Sequence, residues 1–352
     1  MNENEQCKEP SRSIVGVGRK PSIAVAGIGG AGCNFVHRMS GMGVRGLTTI
    51  AVNTDRLHLE LVDADKKLLI GNDRVHGTGA GADPGLGRVC MEEAADELAS
   101  LLGSPDVVFI VAGLGGGTGT GGAPAAARIA KDAGAIAVGV AFMPFRAERG
   151  RTETASSGLE QFRRSSDAVM VMENDRLLAM APNVPIEQAF MSIDKLIMEK
   201  ITGMIDMISL SSKIVETERI LEALPQDGLA MVVCGDGKEA AEMTCEAVDH
   251  PLLELECVAG ASITASTVKG ISDVMVAEAR EGAYHMPKTN VLVGTRAGPA
   301  GSGRRVVPLV AGMKTYPAHM ELATPRPETK AASRGLRQTL LQEGPWTAIR
   351  PD

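Results

Sequence analysis

Val107-Val-Phe-Ile-Val-Ala112 runs directly into Gly113-Leu-Gly-Gly-Gly-Thr-Gly-Thr-Gly-Gly122, and the reading of this stretch decides the fold. Six apolar residues in succession suit a strand covered on both faces. The glycines that follow let the backbone turn and approach a ligand closely, and the Ala-rich run to Asp132 predicts a helix from about Gly122. A strand, a glycine loop and a helix in that order leave bare N–H groups and a positive dipole end at the helix start, which is a place for phosphate. Thr118 and Thr120 interleave hydroxyls among the glycines.

Working outward, the same order recurs. Strand Ser22 to Ala26 enters Gly27-Ile-Gly-Gly-Ala-Gly32 before a helix to about Ser40, a G-x-G-x-x-G pattern in its strand-turn-helix context. A third loop, Gly77-Thr-Gly-Ala-Gly-Ala-Asp-Pro84, follows a strand over Lys67 to Gly71. Three such loops at strand ends can grip one polyphosphate. No G-x-x-x-x-G-K-[ST] occurs, so backbone N–H groups, Thr hydroxyls, a metal and Arg151 are left to meet the phosphate charge.

Between and beyond these loops, strand-like runs alternate with helical ones: Leu47 to Val52, a helix from Asp55, a helix over Leu86 to Leu102, Ala135 to Ala141, a helix over Thr152 to Ser165, and Ala168 to Met172. The alternation predicts an α/β fold, a parallel sheet covered by helices. A long helix over about 186–208 follows, with Ile186, Phe190, Ile193, Ile197, Ile201, Met204 and Ile208 on one face as core. A loop and short helix over 209–224 lead to a smaller α/β domain over 225–313, with strands at Leu229 to Cys234, Leu255 to Ala259, Asn290 to Thr295 and Arg305 to Val310. Helices Glu239 to Asp249 and Ser266 to Glu281 lie between those strands. Residues 1–20 read as a disordered extension, 21–208 as the nucleotide-binding domain and 314–352 as a flexible tail.

Composition narrows the function. The 352 residues carry a net charge of −7 and nine aromatics, which argues against a nucleic-acid-binding surface. The N-terminus lacks an apolar leader, and the longest apolar stretch, Ala133 to Met143, is shorter than the ~20 residues of a membrane span. A cytoplasmic protein is the expectation. Six dispersed Cys without a C-x-x-C motif suggest neither zinc nor disulfides. The six His, among them His37 and His58, have no ligand spacing and read as surface or packing residues.

Gly113 to Gly121 resembles the signature loop of the tubulin/FtsZ family, with the FtsZ branch nearer. Gly29-Gly-Ala-Gly-Cys-Asn34, Ala51-Val-Asn-Thr-Asp55, Gly79-Ala-Gly81 with Pro84, Pro144-Phe145 and Gly228-Leu-Ala-Met231 support it, so the resemblance runs over residues 22 to 313. It implies GTP or GDP as the nucleotide, with Mg²⁺ on the phosphates. The implied phosphate-holding residues are Gly29, Gly30, Ala31, Gly32 and Asn34, together with Gly115, Gly116, Gly117, Thr118, Gly119, Thr120 and Gly121. Asn53, Ala80 and Gly81 belong to matching loops. Glu148 and Arg151 match ribose and phosphate contacts, with one residue fewer between them than in the family pattern. Asn174 and Asp194 match the residues that read guanine, whose two adjacent donors suit an acceptor-only carboxylate.

One loop departs from the pattern. The family completes hydrolysis between subunits with N-x-D-x-x-D after the long helix; here the stretch is Leu210-Ser-Ser-Lys-Ile-Val-Glu-Thr-Glu-Arg219. Ungapped counting from Gly228 places Glu216 at the first Asp and Arg219 at the second, and a slip of one residue brings in Glu218. Glu216 and Glu218 are the candidate catalytic acids. The family's acidic stretch before its last helix is replaced by Gly260 to Thr267, and Trp346 lies in a tail peptide that resembles the docking peptide of FtsZ tails. Two readings stay open: a filament-forming GTPase of cell division or cell shape with reduced hydrolysis, and a non-hydrolysing GTP-binding regulator that caps or co-assembles with an FtsZ. A Rossmann dehydrogenase using Asp55 as its ribose acid leaves two glycine loops unexplained.

Overall fold

The computed structural model describes residues 22–41 and 47–175, Met198 and Ile201, and the backbone of 228–232, 235–236, 264–265, 290–297 and 304–313. Its first half is a parallel sheet built from β1 (Ile23–Ile28), β2 (Leu47–Asn53), β3 (Lys66–Leu69), β4 (Val107–Gly113), β5 (Ile136–Met143) and β6 (Ala168–Glu173). The strands lie in the order β3-β2-β1-β4-β5-β6, all pairs parallel. That order reverses direction between β1 and β4. A ligand crevice is expected outside the carboxyl ends of those two strands, at the switch point.

The helices follow from local chemistry. α1 (Gly29–Gly41) starts directly off β1. α2 (Arg56–Leu61) is capped by Asp55, whose carboxylate accepts from the His58 N–H at 3.0 Å. α3 (Asn72–Val75) is one turn. α4 (Pro84–Glu93) has Pro84 at its first position and Asp83 as cap, accepting from Gly85 and Leu86 N–H at 2.8 and 3.2 Å. The helix expected over Leu86 to Leu102 is divided at Ala94, and α5 (Ala95–Leu102) continues it. Cys90 and Met91 of α4 and Leu98 and Leu102 of α5 are buried in one core on either side of the break.

α6 (Thr118–Asp132) begins four residues earlier than its composition suggests, and α7 (Arg149–Ser165) three residues earlier. Glycine is a poor helix former, at about 1 kcal/mol relative to Ala. Thr118 to Gly122 are helical nonetheless because only glycine fits there. A Cβ at Gly119 would lie 2.3 Å from the Gly113 carbonyl oxygen, and one at Gly121 would lie 1.8 Å from that of Pro84. Tertiary packing overrides propensity at this point.

Right-handed crossovers place α1 and α6 on opposite faces of the sheet, since β1 to β2 and β4 to β5 run in opposite directions. Their N-termini meet at its edge. The core between is continuous: β1, β4 and β5 are almost wholly buried, and Phe35, Phe109 and Phe162 are fully enclosed. Met198 and Ile201, from the expected long helix, are helical and buried in the same core.

The sheet continues past β6. β7 (Gly228–Val232) pairs parallel to it through Ala168 to Gly228 and Val169 to Leu229. β11 (Arg304–Met313) lies antiparallel to β7 and to β10 (Asn290–Ala297), with the short β8 (Gly235–Asp236) and β9 (Thr264–Ala265) pairing beside them. The strands expected around 290 and 305 are therefore present and longer than read. That near Leu255, the helices from Glu239 and Ser266 and the terminal segments lie outside the described residues.

Candidate nucleotide site at the switch point

The first two glycine loops are in contact. Gly29 has φ of +72°, a conformation that favours glycine, and a Cβ there would be 2.9 Å from the Gly119 backbone nitrogen. Gly27 and Gly32 pack equally closely: a Cβ on Gly32 would be 2.2 Å from the Val111 carbonyl oxygen, so α1 lies tight against β4. Gly30 differs from these neighbours. Nothing lies within 4 Å of where its Cβ would be, and Gly30, Ala31 and Asn34 are exposed along the start of α1.

The third loop closes the far side. A Cβ at Gly117 would be 2.9 Å from the Ala80 carbonyl oxygen and from the Asp83 nitrogen, so this loop and the start of α4 abut the start of α6. Gly77, Gly79, Gly81 and Ala82 all have positive φ. Ala82 at +62° is the costly one, because an L side chain there is strained, and such strain clusters at ligand clamps. All three loops converge, as the sequence predicts.

Electrostatically the place favours an anion. Neither α1 nor α6 has an acidic residue in its first turn, and no side chain caps α6 at Gly117. Two helix dipoles thus present uncompensated N–H groups to one cleft edge. Arg151, in the first turn of α7, lies beside the loop: its Nε donates to the Gly115 carbonyl at 3.4 Å and its Nη1 to Glu148 Oε2 at 2.6 Å. Glu148 Oε1 accepts from the Phe145 N–H, so the pair ties the glycine loop to the segment that follows β5.

The threonine hydroxyls behave differently from expectation. Thr120 Oγ1 accepts from the Gly115 N–H at 2.8 Å, and Thr118 Oγ1 is 2.6 Å from Thr54 Oγ1. Both side chains are turned into the fold, where they fasten the glycine loop. Asn174 directly follows β6, with its Oδ1 buried and without a hydrogen-bond partner among the described residues. A buried acceptor left unmade costs about 1–3 kcal/mol, and a donor on a bound base would satisfy it. That oxygen and the open space at Gly30 fit a nucleotide whose base carries a hydrogen-bond donor, as guanine does. Asp194, Glu216, Glu218 and Trp346 lie outside the described residues.

Cys33 stands at the start of α1, where a helix dipole ordinarily favours thiolate. Burial wins: its thiol is pushed up to about 12 and donates to the Gly27 and Val52 carbonyls at 3.5 and 3.4 Å. It is a packing group. His58 is the residue that the sequence reading missed. It stands half-buried between Asn34 and Asn53, and its place one turn after the Asn53-Thr-Asp55 run was the available signal. Among the described residues no group of His, Cys, Asp and Glu is arranged to hold a metal, and no helix is long and apolar enough to cross a membrane.

A doubly wound sheet with glycine loops at both strands of its switch point defines a nucleotide-binding protein of Rossmann-like architecture. Comparison with known proteins makes the class specific. The Tubulin/FtsZ family, GTPase domain, matches residues 22–182. Cell division protein FtsZ 2 of Haloferax volcanii is 38% identical over 305 residues, covering 84% of this chain and 76% of that protein. Cell division protein FtsZ of Methanothermobacter thermautotrophicus is 40% identical over 281 residues, covering 78% and 73%. The FtsZ dimer structure from M. jannaschii superposes with a TM-score of 0.72 at 31% identity, covering 88% of this chain and 96% of that one. The GTPγS-bound CetZ2 protofilament from H. volcanii, at 22% identity and TM-score 0.67, shares the fold, covering 91% and 98%. The chain belongs to the tubulin/FtsZ family of GTP-binding cytoskeletal proteins.

Proposed function

We propose that this protein is a cytoplasmic GTPase that assembles head to tail into filaments serving cell division or cell shape, with hydrolysis completed between subunits. The observation that carries the reading is the meeting of two helix N-termini, those of α1 and α6, neither with an acidic residue in its first turn, over the switch point of the sheet. In this reading Gly29 to Gly32 and Gly115 to Gly121 offer backbone N–H groups to the phosphates, with Ala80 and Gly81 closing the third side. Mg²⁺ neutralises phosphate charge when bound, in the absence of a P-loop lysine. Arg151 supplies the protein's own cation, and Asn174 and Asp194 read the base.

Residues 21–208 act as the nucleotide-binding domain and 225–313 as a second domain, a division that the two-residue join between β6 and β7 supports. In this reading the glycine loops of one subunit meet the 209–224 segment of the next, a contact that is heterologous and propagates. Glu216 or Glu218 of one subunit would orient water toward the γ-phosphate held by the next and take its proton as the new P–O bond forms and the bond to the β-phosphate breaks. Loss of a positioned acid costs ~10²–10⁴ in rate, so hydrolysis is expected to be slow. The altered loop also favours a second reading, a regulator that binds GTP and joins filaments of another FtsZ without turnover.

Phosphate release from GTP, measured against protein concentration with a Glu216→Ala/Glu218→Ala variant alongside, separates them. A rate per molecule that rises with concentration and collapses in the variant supports the assembling GTPase. Tight GTP binding without release above background supports the regulator. Absence of GTP binding overturns both.

A further inference from the structure

The hydrogen bonds around His58 fix the orientation of three side chains in sequence. The backbone N–H groups of Thr54 and Asp55 both reach Asn53 Oδ1, at 2.9 and 3.3 Å. A backbone N–H can only donate, so the oxygen of Asn53 faces them and its NH₂ faces His58 Nδ1, 3.1 Å away. Nδ1 must then accept, which places the imidazole proton on Nε2. Nε2 lies 2.9 Å from Asn34 Oδ1 and donates to it. The Asn34 NH₂ is thereby turned outward, exposed beside Gly30 and Ala31 and without a partner among the described residues.

We propose that His58 is a positioning residue of the nucleotide site that locks the Asn34 amide with its NH₂ toward the ligand, so that this point recognises only a hydrogen-bond acceptor. A freely rotating asparagine offers either its oxygen or its nitrogen, and so discriminates weakly. One whose oxygen is committed offers donors alone. A phosphate oxygen or the 6-oxo group of guanine meets it, whereas the 6-amino group of adenine does not. The chain of constraint begins at the end of β2, where Asn53 is 3% exposed and pinned by backbone, and ends at the first glycine loop. This inference rests on the nucleotide-site reading above.

Calorimetric titration with GTP, ATP and inorganic pyrophosphate tests it on the full chain and on His58→Ala, His58→Gln, Asn34→Ala and the His58→Ala/Asn34→Ala double variant. Loss of a positioned hydrogen bond predicts GTP binding about three- to tenfold weaker in His58→Ala. In the Asn34→Ala background the same substitution has no further effect, and His58→Gln, which keeps an N–H at the outer position, recovers most of the affinity. If the acceptor is a phosphate oxygen, GTP, ATP and pyrophosphate weaken alike. If it belongs to the base, only GTP weakens and its preference over ATP narrows. Unchanged GTP binding in His58→Ala, or an equal loss with and without Asn34, overturns the inference while the nucleotide site stands. A full chain that fails to bind GTP overturns both. Thermal melting of each variant separates a folding defect from a binding one: the double-variant comparison applies to pairs that melt together.

Discussion

A methyl group added at Gly119 and one added at Gly30 test opposite properties of the same loop cluster. At Gly119 the new carbon would stand 2.3 Å from a backbone oxygen, which cannot move without displacing the end of β4. Overpacking of this kind typically costs about 1–3 kcal/mol, more than the ~1 kcal/mol that Ala gains over Gly in a helix. Gly119→Ala is expected to lower the urea midpoint and abolish GTP binding together. At Gly30 nothing lies within 4 Å, so the protein itself does not resist a side chain. Gly30→Ala is expected to leave the midpoint unchanged or slightly raised while GTP affinity falls at least tenfold. Equal destabilisation by both substitutions would show that the open space at Gly30 is not the ligand's.

At the scale of elements, the site depends on α4 holding the third loop against α6. Asp83 caps α4 and its backbone nitrogen abuts Gly117, so one residue fastens both. Loss of such a cap costs about 0.5–2 kcal/mol. Asp83→Ala is expected to lower stability by about 1 kcal/mol in denaturant titration and to weaken GTP binding, whereas Asp83→Asn retains most of both. This element also shows what sequence reading can reach. The helix read from Leu86 starts two residues earlier, at Pro84 with Asp83 as its cap, a start signal present in the sequence, and the strands at 107 and 136 are continuous apolar runs that could only be buried. The start of α6 was illegible because Thr118 to Gly122 have no intrinsic reason to be helical. Their conformation is imposed by Gly113, Pro84 and Arg88, residues up to 37 positions away. The inward turn of Thr118 and the bridging position of His58 escaped for the same reason: each is decided by a partner distant in sequence, Thr54 or Asn34. Thr120 turns inward to a local partner, the Gly115 N–H, which the unexpected early start of the helix brings within reach.

For the whole molecule, hydrolysis completed between subunits, as proposed, draws the two halves of one active site from different chains, and that can be tested without knowing the filament. A subunit with a damaged front, such as Gly119→Ala, retains residues 209–224. A Glu216→Ala/Glu218→Ala subunit keeps its glycine loops and lacks the acids. Each alone is expected to release little phosphate. Mixed in equal amounts, the intact front of one can meet the intact loop of the other, and heterologous contact makes that pairing available. Phosphate release from the mixture is therefore expected to exceed the sum of the two separate rates and to grow with total concentration. A mixture no faster than that sum, made from variants that still sediment with wild-type filaments, would place the catalytic acid on the same subunit as the phosphates it serves.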